Sequence, residues 1–253
     1  DVAEFDKFAD EYHNLHQENI RITGEKPEYF AEYKICDLKR VAKIVGVDVN
    51  NILDFGTGVG NNFPFLAKHF PRTGLFGTDV SEKSLTLAKE RFDGFGEFSL
   101  FDGKTLPYPE GQFDLALATC VFHHIPAEEH IQLIQEVSRS LRSGGAFMIY
   151  EHNPINPMTL HAVNTCPFDE NAVLLKRCQV RNVLREAGME VVMQEYRVYF
   201  PAFLKLLRPL EKYLAWLPLG AQHFVVGKKL WNFPSSFLLQ RRENPTLDTG
   251  TTE

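Results

Sequence analysis

"LDFGTGVGNN" (residues 53–62) places three glycines at alternate positions, Gly56, Gly58 and Gly60, directly after a short apolar run. A glycine-rich turn between a strand and a helix lets backbone N–H groups approach a ligand and points the helix N-terminus at negative charge. Such a turn also occurs as a tight corner without a ligand. Three interpretations are therefore open: a plain strand–turn–helix corner, a dinucleotide site, or a site for a smaller adenosine ligand.

From residue 50 onward, strand-like and helix-like patterns alternate along the chain. Short apolar runs predict strands over 51–56, 74–80, 97–103, 113–121 and 146–153. Most of the intervening segments have helical patterns, among them residues 126–145, where Pro126 lies in the first turn and Gly144–Gly145 end the helix. This alternation is typical of βαβ crossovers and a parallel sheet. We expect two later strands, 189–200 and 221–229, to pair antiparallel at the sheet edge.

The composition is that of an ordinary soluble globular protein. Its 253 residues are 44% hydrophobic and include 21 Phe, enough for one large domain with a substantial core. A formal net charge of −6 without a long basic run argues against a nucleic-acid-binding protein. The four cysteines lack metal-ligand spacing, so no metal site is expected. A polar N-terminal stretch and the lack of an apolar run of about 20 residues predict a cytoplasmic protein.

Two carboxylates narrow the choice among the three interpretations. Asp79 ends the second predicted strand, where a carboxylate accepts hydrogen bonds from ribose hydroxyls; its structural alternative is a helix N-cap. Asp102 ends the third strand, where it is placed to accept from an adenine amine; its alternative is a surface turn with Gly103. Asn61 stands where a dinucleotide turn has its third glycine. The combination favours a ligand with adenine, ribose and an amino acid tail.

Four segments resemble motifs of the class I S-adenosylmethionine (SAM)-dependent methyltransferases: "LDFGTGVG" (53–60), "FGTDVSEKSL" (76–85), "LFDGKTLPYPEGQFDLALATCVFHHI" (100–125) and "LRSGGAFMIYEHN" (141–153). The resemblance covers residues 45–153 closely and 171–229 by topology. It implies an α/β fold with a Rossmann-like, doubly wound, seven-stranded sheet whose last strand runs antiparallel. It also implies SAM as the cofactor and S-adenosyl-L-homocysteine as the product.

The resemblance further implies a role for individual residues of the cofactor site. The first motif, with Phe55, Gly56, Thr57, Gly58 and Gly60, passes beneath the methionine part of SAM. Asp54 lies near the amino group, Asp79 binds the ribose, and Asp102 binds the adenine amine. Val80 and Gly103 flank the adenine ring, and Thr119 faces the cofactor through its backbone. Tyr12 and Tyr33, in a helical N-terminal cap, either close over the cofactor or pack within the cap.

Four polar residues lie at the carboxyl ends of the fourth and fifth strands, at the mouth where an acceptor must arrive. His123, His124, Glu151 and His152 are the candidates for a general base, which an oxygen acceptor of high pKa requires. Loop histidines also serve structural roles, which remain the alternative here. Methyl transfer from a sulfonium otherwise depends mainly on proximity and alignment.

The predicted organisation is a cap over 1–45, a methyltransferase domain over 46–229 with inserts near 154–170 and 201–220, and a tail over 230–253 whose end is disordered. In the second insert, Leu206, Leu210, Tyr213, Leu214 and Leu217 recur at helical spacing. This stripe is either core or, less favoured, a lipophilic-acceptor groove or membrane-surface contact.

The predicted activity is methylation of a small molecule, at oxygen, with a sugar- or lipid-linked acceptor as one option. The chain also loosely resembles bacterial methyltransferases of quinone biosynthesis and glycan clusters, a resemblance that does not identify the acceptor. The alternatives are C-methylation of a quinone-like ring, a non-catalytic SAM-binding scaffold, and a nicotinamide-dependent oxidoreductase, which Asn61 disfavours. The sequence does not indicate an oligomeric state.

Overall fold

The computed structural model describes residues 23–166 and 171–230. The strands are β1 (Asn51–Phe55), β2 (Gly74–Asp79), β3 (Glu97–Leu100), β4 (Phe113–Thr119), β5 (Leu141–His152), β6 (Glu190–Arg197) and β7 (Gln222–Lys228). The α-helices are α1 (Pro27–Val45), α2 (Phe63–His69), α3 (Glu82–Arg91), α4 (His130–Ser140), α5 (Pro157–Asn164), α6 (Arg177–Glu186) and α7 (Glu211–Leu214). Short 3₁₀ segments cover Phe122–His124, Ala127–Glu129 and Ala202–Leu210.

The seven strands form one sheet in the order β3-β2-β1-β4-β5-β7-β6. Strands β1 to β5 pair in parallel, while β7 runs antiparallel to both of its neighbours, β5 and β6. The predicted fold class, with its antiparallel last strand, is confirmed. Because β1 has β2 on one side and β4 on the other, the chain reverses its direction of winding beside β1. Ligands of open α/β sheets bind at the carboxyl ends of the strands next to such a point.

Two apolar layers cover the sheet, one on each face. Leu53, Ala116 and Phe147 point to one side and pack with side chains of α4 and α6. Ile52, Leu117 and neighbouring residues point to the other side and pack with α1, α2 and α3. Successive side chains of a strand alternate between faces, so continuous apolar runs are buried on both sides.

Helix α1 belongs to the second of these layers. Its Ile35, Leu38 and Val41 are fully buried against the sheet. The described part of the predicted cap is thus a core helix, and residues 1–22 lie outside the described residues, as do residues 231–253 of the predicted tail.

The predicted helix over 126–145 is wrong at its C-terminal end. Helix α4 stops at Ser140, and β5 begins at Leu141, with an irregular register opposite β4. Gly144 has a φ of +78°, and a Cβ on Gly145 would lie 2.9 Å from the Arg142 carbonyl oxygen. These glycines form a bulge that starts a strand, whereas the sequence pattern indicated a helix end.

The insert between β6 and β7 contributes little to the core. Leu206 is 88% exposed, and Leu210 and Tyr213 are exposed as well. The prediction of a core stripe is therefore wrong for these residues. The 3₁₀ segment is kinked at Leu204, which has non-helical φ and ψ angles, and it also contains Pro209.

One buried ionic network ties α1 to β6. The Asp37 carboxylate accepts hydrogen bonds from Arg197 Nε (2.8 Å) and Nη2 (2.9 Å), and also from the Tyr150 hydroxyl (3.2 Å). Arg40 joins Asp37 to Glu195 of β6. Burial lowers the pKa of Arg197, but the adjacent Asp37 carboxylate reverses this effect and raises it. The network therefore holds a charged pair inside the protein.

We expect Arg197→Met to reduce the free energy of unfolding by roughly 3–5 kcal/mol, because it leaves the buried Asp37 carboxylate without its main partner. Urea titration followed by circular dichroism measures the change. Lys68→Met is the control, since Lys68 pairs with Glu32 at the surface and its loss has little effect. Equal stability of the two variants would contradict the role assigned to Asp37.

Candidate functional site

The glycine turn after β1 has a left-handed backbone at all three glycines, with φ values of +71° at Gly56, +52° at Gly58 and +79° at Gly60. The N–H groups of Gly56 and Thr57 donate to the Thr78 carbonyl oxygen at 2.9 and 3.0 Å. A Cβ on Gly56 would lie 2.5 Å from Val121 Cγ2, whereas one on Gly58 would meet no atom within 4 Å. The turn is thus packed at Gly56 and open at Gly58.

Asp79 holds the turn from the end of β2. Its Oδ2 accepts from the Gly58 N–H at 2.8 Å, and its Oδ1 accepts from the Ser81 N–H at 3.0 Å. The N-cap of α3 is Ser81, whose hydroxyl accepts from the Ser84 N–H. The alternative that Asp79 is the N-cap is therefore wrong, and its carboxylate lies beside the glycine turn.

Asp54 is completely buried behind the turn. Its carboxylate accepts from Thr57 Oγ1 at 2.9 Å and from Asn62 Nδ2 at 3.2 Å, and the same Asn62 amide lies 3.2 Å from Thr119 Oγ1. Burial raises the pKa of Asp54 to about 7, even though both hydrogen bonds lower it. A carboxylate in this state gains its charge readily when a cation arrives beside it. Asn62 thus bridges β1 and β4.

The residues predicted for the adenine end lie close together. Gly103 has a φ of +82°, and a Cβ there would lie 4.0 Å from Val80 Cγ1. Asp102 is exposed, and its Oδ1 accepts from the Thr105 and Lys104 N–H groups at 2.7 and 2.8 Å, which lowers its pKa. These bonds make the surface turn that was the alternative for Asp102. Its contact with adenine stays a prediction.

Phe55 and Tyr33 are engaged elsewhere. The Phe55 ring is buried in the core, stacked on Phe122 with a centroid distance of 5.9 Å, so only its backbone borders the turn. The Tyr33 hydroxyl donates to Glu211 Oε2 at 2.5 Å, which supports the packing alternative for this residue. Tyr12 lies outside the described residues.

The candidate catalytic residues form one cluster at the ends of β4 and β5. Glu151 is fully buried, and its Oε1 accepts from the N–H groups of Phe122 (2.8 Å) and Val121 (3.2 Å). Its Oε2 lies 2.5 Å from His123 Nδ1. The His123 ring centroid lies 4.2 Å from that of His124 and 5.4 Å from that of His152. The structure thus brings all four predicted residues together.

Glu151 does not have the properties of a general base. Burial raises its pKa, but the charges of His123 and His152 and the bonds from His123 and the Phe122 N–H outweigh this effect and lower the pKa to about 2. A carboxylate with such a low pKa is a weak proton acceptor at neutral pH. Glu151 is therefore a positioning residue that fixes His123 and the loop after β4.

Three residues near this cluster were missed by the sequence reasoning. Cys120, directly after β4, has a φ of +58°, and strained backbone of this kind clusters at functional sites. Lys34 Nζ and Gln222 Nε2 lie 3.6 and 3.7 Å from its Sγ. No sequence signal pointed to these three residues, because they come together only in the fold. Asn62, beside the glycine turn, was also missed, although the polar pair "NN" at 61–62 was a signal for it.

Glu32, Cys36 and His69 are a group of potential metal ligands between α1 and α2, with ligand atoms within 4.8 Å of one another. Lys68 Nζ (2.6 Å) and His69 Nε2 (3.0 Å) both contact Glu32 Oε1. The Lys68 bond, with that from His69, lowers the pKa of Glu32. Hydrogen bonds and charge pairs within the group therefore account for its arrangement.

Comparisons with known proteins agree with this geometry. Residues 52–145 match the family model described as a methyltransferase domain. An uncharacterized methyltransferase of Bacillus mycoides is 32% identical over 149 residues, 56% of this chain and 65% of the relative. The trans-aconitate 2-methyltransferase of Variovorax paradoxus is 32% identical over 109 residues, 43% of this chain and 41% of the relative. The demethylmenaquinone methyltransferase of Thermotoga maritima is 29% identical over 119 residues, 47% of this chain and 51% of the relative.

A SAM-dependent methyltransferase from Archaeoglobus fulgidus has the same fold, with a TM-score of 0.64 at 16% identity over 86% of this chain and all of that one. Residues 52–145 therefore form a methyltransferase domain, and the fold around them is that of SAM-dependent methyltransferases. It spans less than two thirds of the length of the three curated relatives named above. These matches establish a methyltransferase domain with SAM as its cofactor, while the acceptor is a separate question.

The residues of the site fit SAM. Asp79 presents carboxylate oxygens beside the open Gly58, where ribose hydroxyls would donate. Asp54 offers a buried carboxylate behind the turn that suits the cationic methionine end. Val80 presents an apolar side chain and Gly103 no side chain at neighbouring positions, which suits contact with the adenine ring.

We expect Asp54→Asn to make the protein less sensitive to pH. The wild-type carboxyl has a pKa of about 7 in the fold and 3.8 as a free group, so its stabilising contribution is full below about pH 4 and is lost as the pH rises to 7. The difference in melting temperature, variant minus wild type, is therefore expected to increase from about pH 5 to about pH 8, because only the wild type loses stability over this range. A constant difference across this range would contradict the buried, protonated state of Asp54.

We expect Asp79→Ala to weaken SAM binding by roughly 1–3 kcal/mol, because the ribose loses an acceptor and the Gly58 N–H loses its partner. Calorimetric titration with SAM and S-adenosylhomocysteine measures this loss. Asp93→Ala is the matched control, since Asp93 is an exposed carboxylate. An affinity equal to that of the control would show that the ribose binds elsewhere.

Proposed function

We propose that this methyltransferase transfers the methyl group of SAM to an oxygen atom of a small-molecule acceptor. The observation that carries the proposal is the cluster of three histidines around the buried Glu151 at the carboxyl ends of β4 and β5. A hydroxyl acceptor must lose a proton as it attacks the methyl group, and an imidazole is suited to take it. SAM supplies the methyl group on a sulfonium, which is already a good leaving group.

His152 is the base in this proposal. It is half-buried at the last position of β5, whereas His123 is only 2% exposed. The charge of His152 is one of the interactions that lower the pKa of Glu151, so the two side chains interact electrostatically. By the same interaction, the carboxylate stabilises the imidazolium that forms when His152 takes the acceptor's proton.

His123 acts through its position in this arrangement. Because Glu151 is ionised, the His123 Nδ1–H is donated to Oε2, which fixes the ring between Glu151 and its histidine neighbours. The backbone bonds from Val121 and Phe122 to Glu151 fix the loop that carries His123 and His124. The buried pair therefore positions both the histidines and the mouth of the site.

The named relatives leave the acceptor atom open. One is a trans-aconitate methyltransferase and another a demethylmenaquinone methyltransferase. The second name favours the alternative function, C-methylation of a quinone-like ring, for which a histidine base is less important. The net charge of −6 supports a small molecule over nucleic acid, and the exposed apolar side chains of the insert between β6 and β7 support a lipid-linked acceptor.

We expect His152→Ala to reduce kcat by about 10²–10⁴-fold with little change in the Kd of SAM. The kcat of wild type is expected to rise with pH as the imidazole loses its proton, and this rise is expected to be absent in the variant. His124→Ala is the matched control in the same loop cluster, and acceptors are screened with a coupled assay for S-adenosylhomocysteine.

Mass spectrometry of the product distinguishes the candidate functions. A methyl ether or ester supports the oxygen acceptor, and a methyl group on ring carbon supports the alternative. Full activity of His152→Ala with an oxygen acceptor would contradict the assignment of the base. SAM binding without turnover on any acceptor would favour a scaffold.

We expect Glu151→Gln to lower the free energy of unfolding at neutral pH by roughly 3 kcal/mol. The depressed pKa of Glu151 means that its contribution is present above the ordinary value of 4.5 and is lost as the pH falls towards 2. Urea titrations at neutral and acidic pH measure this dependence, and the difference between variant and wild type shrinks in acid. A difference independent of pH would contradict an ionised Glu151–His123 pair.

A further inference from the structure

The insert between β6 and β7 presents a row of large apolar side chains to solvent. Leu206 is 88% exposed and Trp216 is 70% exposed. The other exposed members of the row are Phe203, Leu204, Leu207, Leu210, Tyr213 and Leu219. Monomeric soluble proteins rarely expose contiguous apolar surface of this kind unless it binds something. We call residues 202–219 the apolar insert.

The apolar insert is held firmly on its inner side. The Glu211 carboxylate accepts from the Tyr33 hydroxyl at 2.5 Å and from the N–H groups of Tyr199 and Phe200 at 3.0 and 3.2 Å. The Tyr199 hydroxyl bonds to the carbonyl oxygens of Leu214 and Leu217. Polar bonds therefore fasten the inner side to the body of the domain. The outward apolar side chains form a preformed surface.

The charge that the apolar insert presents to solvent is positive. Its charged residues are Lys205, Arg208, Glu211 and Lys212. Glu211 is buried and engaged by three donors, and Arg208 pairs with Glu25. The exposed charges are therefore Lys205 and Lys212, although the whole chain has a net charge of −6. The insert is a local cationic and apolar surface on an acidic protein.

A neighbouring segment extends this surface towards the catalytic cluster. Ile155, Met158 and Leu160 are also exposed. Asn153 Nδ2 donates to the Pro218 and Gly220 carbonyl oxygens, and Asn156 Nδ2 donates to that of Leu219 at 2.7 Å. The two segments are thus in contact, directly after His152 at the end of β5.

We propose that this surface, residues 155–160 together with the apolar insert, binds the interface of membranes that contain anionic lipids. Leucine and aromatic side chains enter the boundary between headgroups and acyl chains, and lysines beside them attract anionic headgroups. Trp216 and Tyr213 are the residue types that favour this boundary. No helix among residues 23–166 and 171–230 is long and apolar enough to cross a bilayer.

Charge disfavours a second copy of the chain as the occupant. A two-fold contact through the same surface would bring two patches of the same positive charge together, because each copy exposes Lys205 and Lys212 there. An anionic lipid surface is complementary to these charges. The contact also brings the lipid interface beside the carboxyl end of β5, where the acceptor is expected.

The test is sedimentation of the full chain with vesicles of phosphatidylcholine alone and of phosphatidylcholine mixed with phosphatidylglycerol. Wild type is expected to bind the mixed vesicles and to lose binding at high salt. Leu206→Ser/Trp216→Ser and Lys205→Gln/Lys212→Gln are each expected to weaken binding by about tenfold or more. Ile44→Ser is the matched control, an exposed apolar residue on α1.

Fluorescence gives an independent measurement. In a Trp231→Phe background, the emission of Trp216 is expected to shift to the blue with mixed vesicles and to stay unchanged with phosphatidylcholine alone. Absence of binding to the mixed vesicles, or binding unaffected by either double substitution, would overturn the proposal. A self-association that Leu206→Ser/Trp216→Ser abolishes, without vesicle binding, would also overturn it and assign the surface to a second copy. SAM binding by calorimetry is independent of both outcomes.

Discussion

The position of β1 between β2 and β4 is the constraint on which the site depends. The parallel strands end at one edge of the sheet, and the reversal of winding beside β1 keeps that edge clear of a crossover helix. The polar groups that end three strands can then meet there. Asn62 spans the gap by contacting Asp54 of β1 and Thr119 of β4, while Asp79 of β2 holds the glycine turn. The sheet order therefore determines the place of the site, and the glycines allow the backbone to approach it.

Two carboxylates buried to the same extent have opposite pKa shifts, and their neighbours explain the difference. Asp54 has a hydroxyl and an amide as partners, so burial dominates and its pKa rises to about 7. Glu151 has an imidazole and two backbone N–H groups, so its pKa falls to about 2 despite equal burial. Asp54 is thus suited to a cation that comes with a ligand, whereas Glu151 is already paired within the protein. Environment assigns different roles to two chemically similar groups.

Much of this arrangement was accessible from the sequence because it depends on local pattern. The apolar runs predicted all seven strands, and the positions of the glycines, Asp79 and Gly103 after three of these strands predicted that they lie at one edge of the sheet. Contacts between distant residues were not accessible. Glu151 reaches Val121 across 30 positions, and Tyr33 reaches Glu211 across 178, so their roles emerge only in the fold. Periodicity in the apolar insert indicated an amphipathic stripe, but it carried no information on whether anything covers it. Gly144–Gly145 was ambiguous because glycine ends helices and also forms bulges.

The apolar insert and the catalytic cluster are mechanically connected. Asn153 follows His152 and holds the end of the insert through the Pro218 and Gly220 carbonyl oxygens. A Cβ on Gly220 would lie 2.5 Å from the Arg197 carbonyl oxygen, so the insert returns to the sheet against the end of β6. Arg197 in turn is bound to Asp37 of α1. The exposed leucines and Trp216 are thus carried by a segment that is bonded to the chain directly after His152 and that returns to the sheet against β6. In the proposed membrane contact, an acceptor with an apolar anchor would reach His152 from the lipid interface without crossing bulk water.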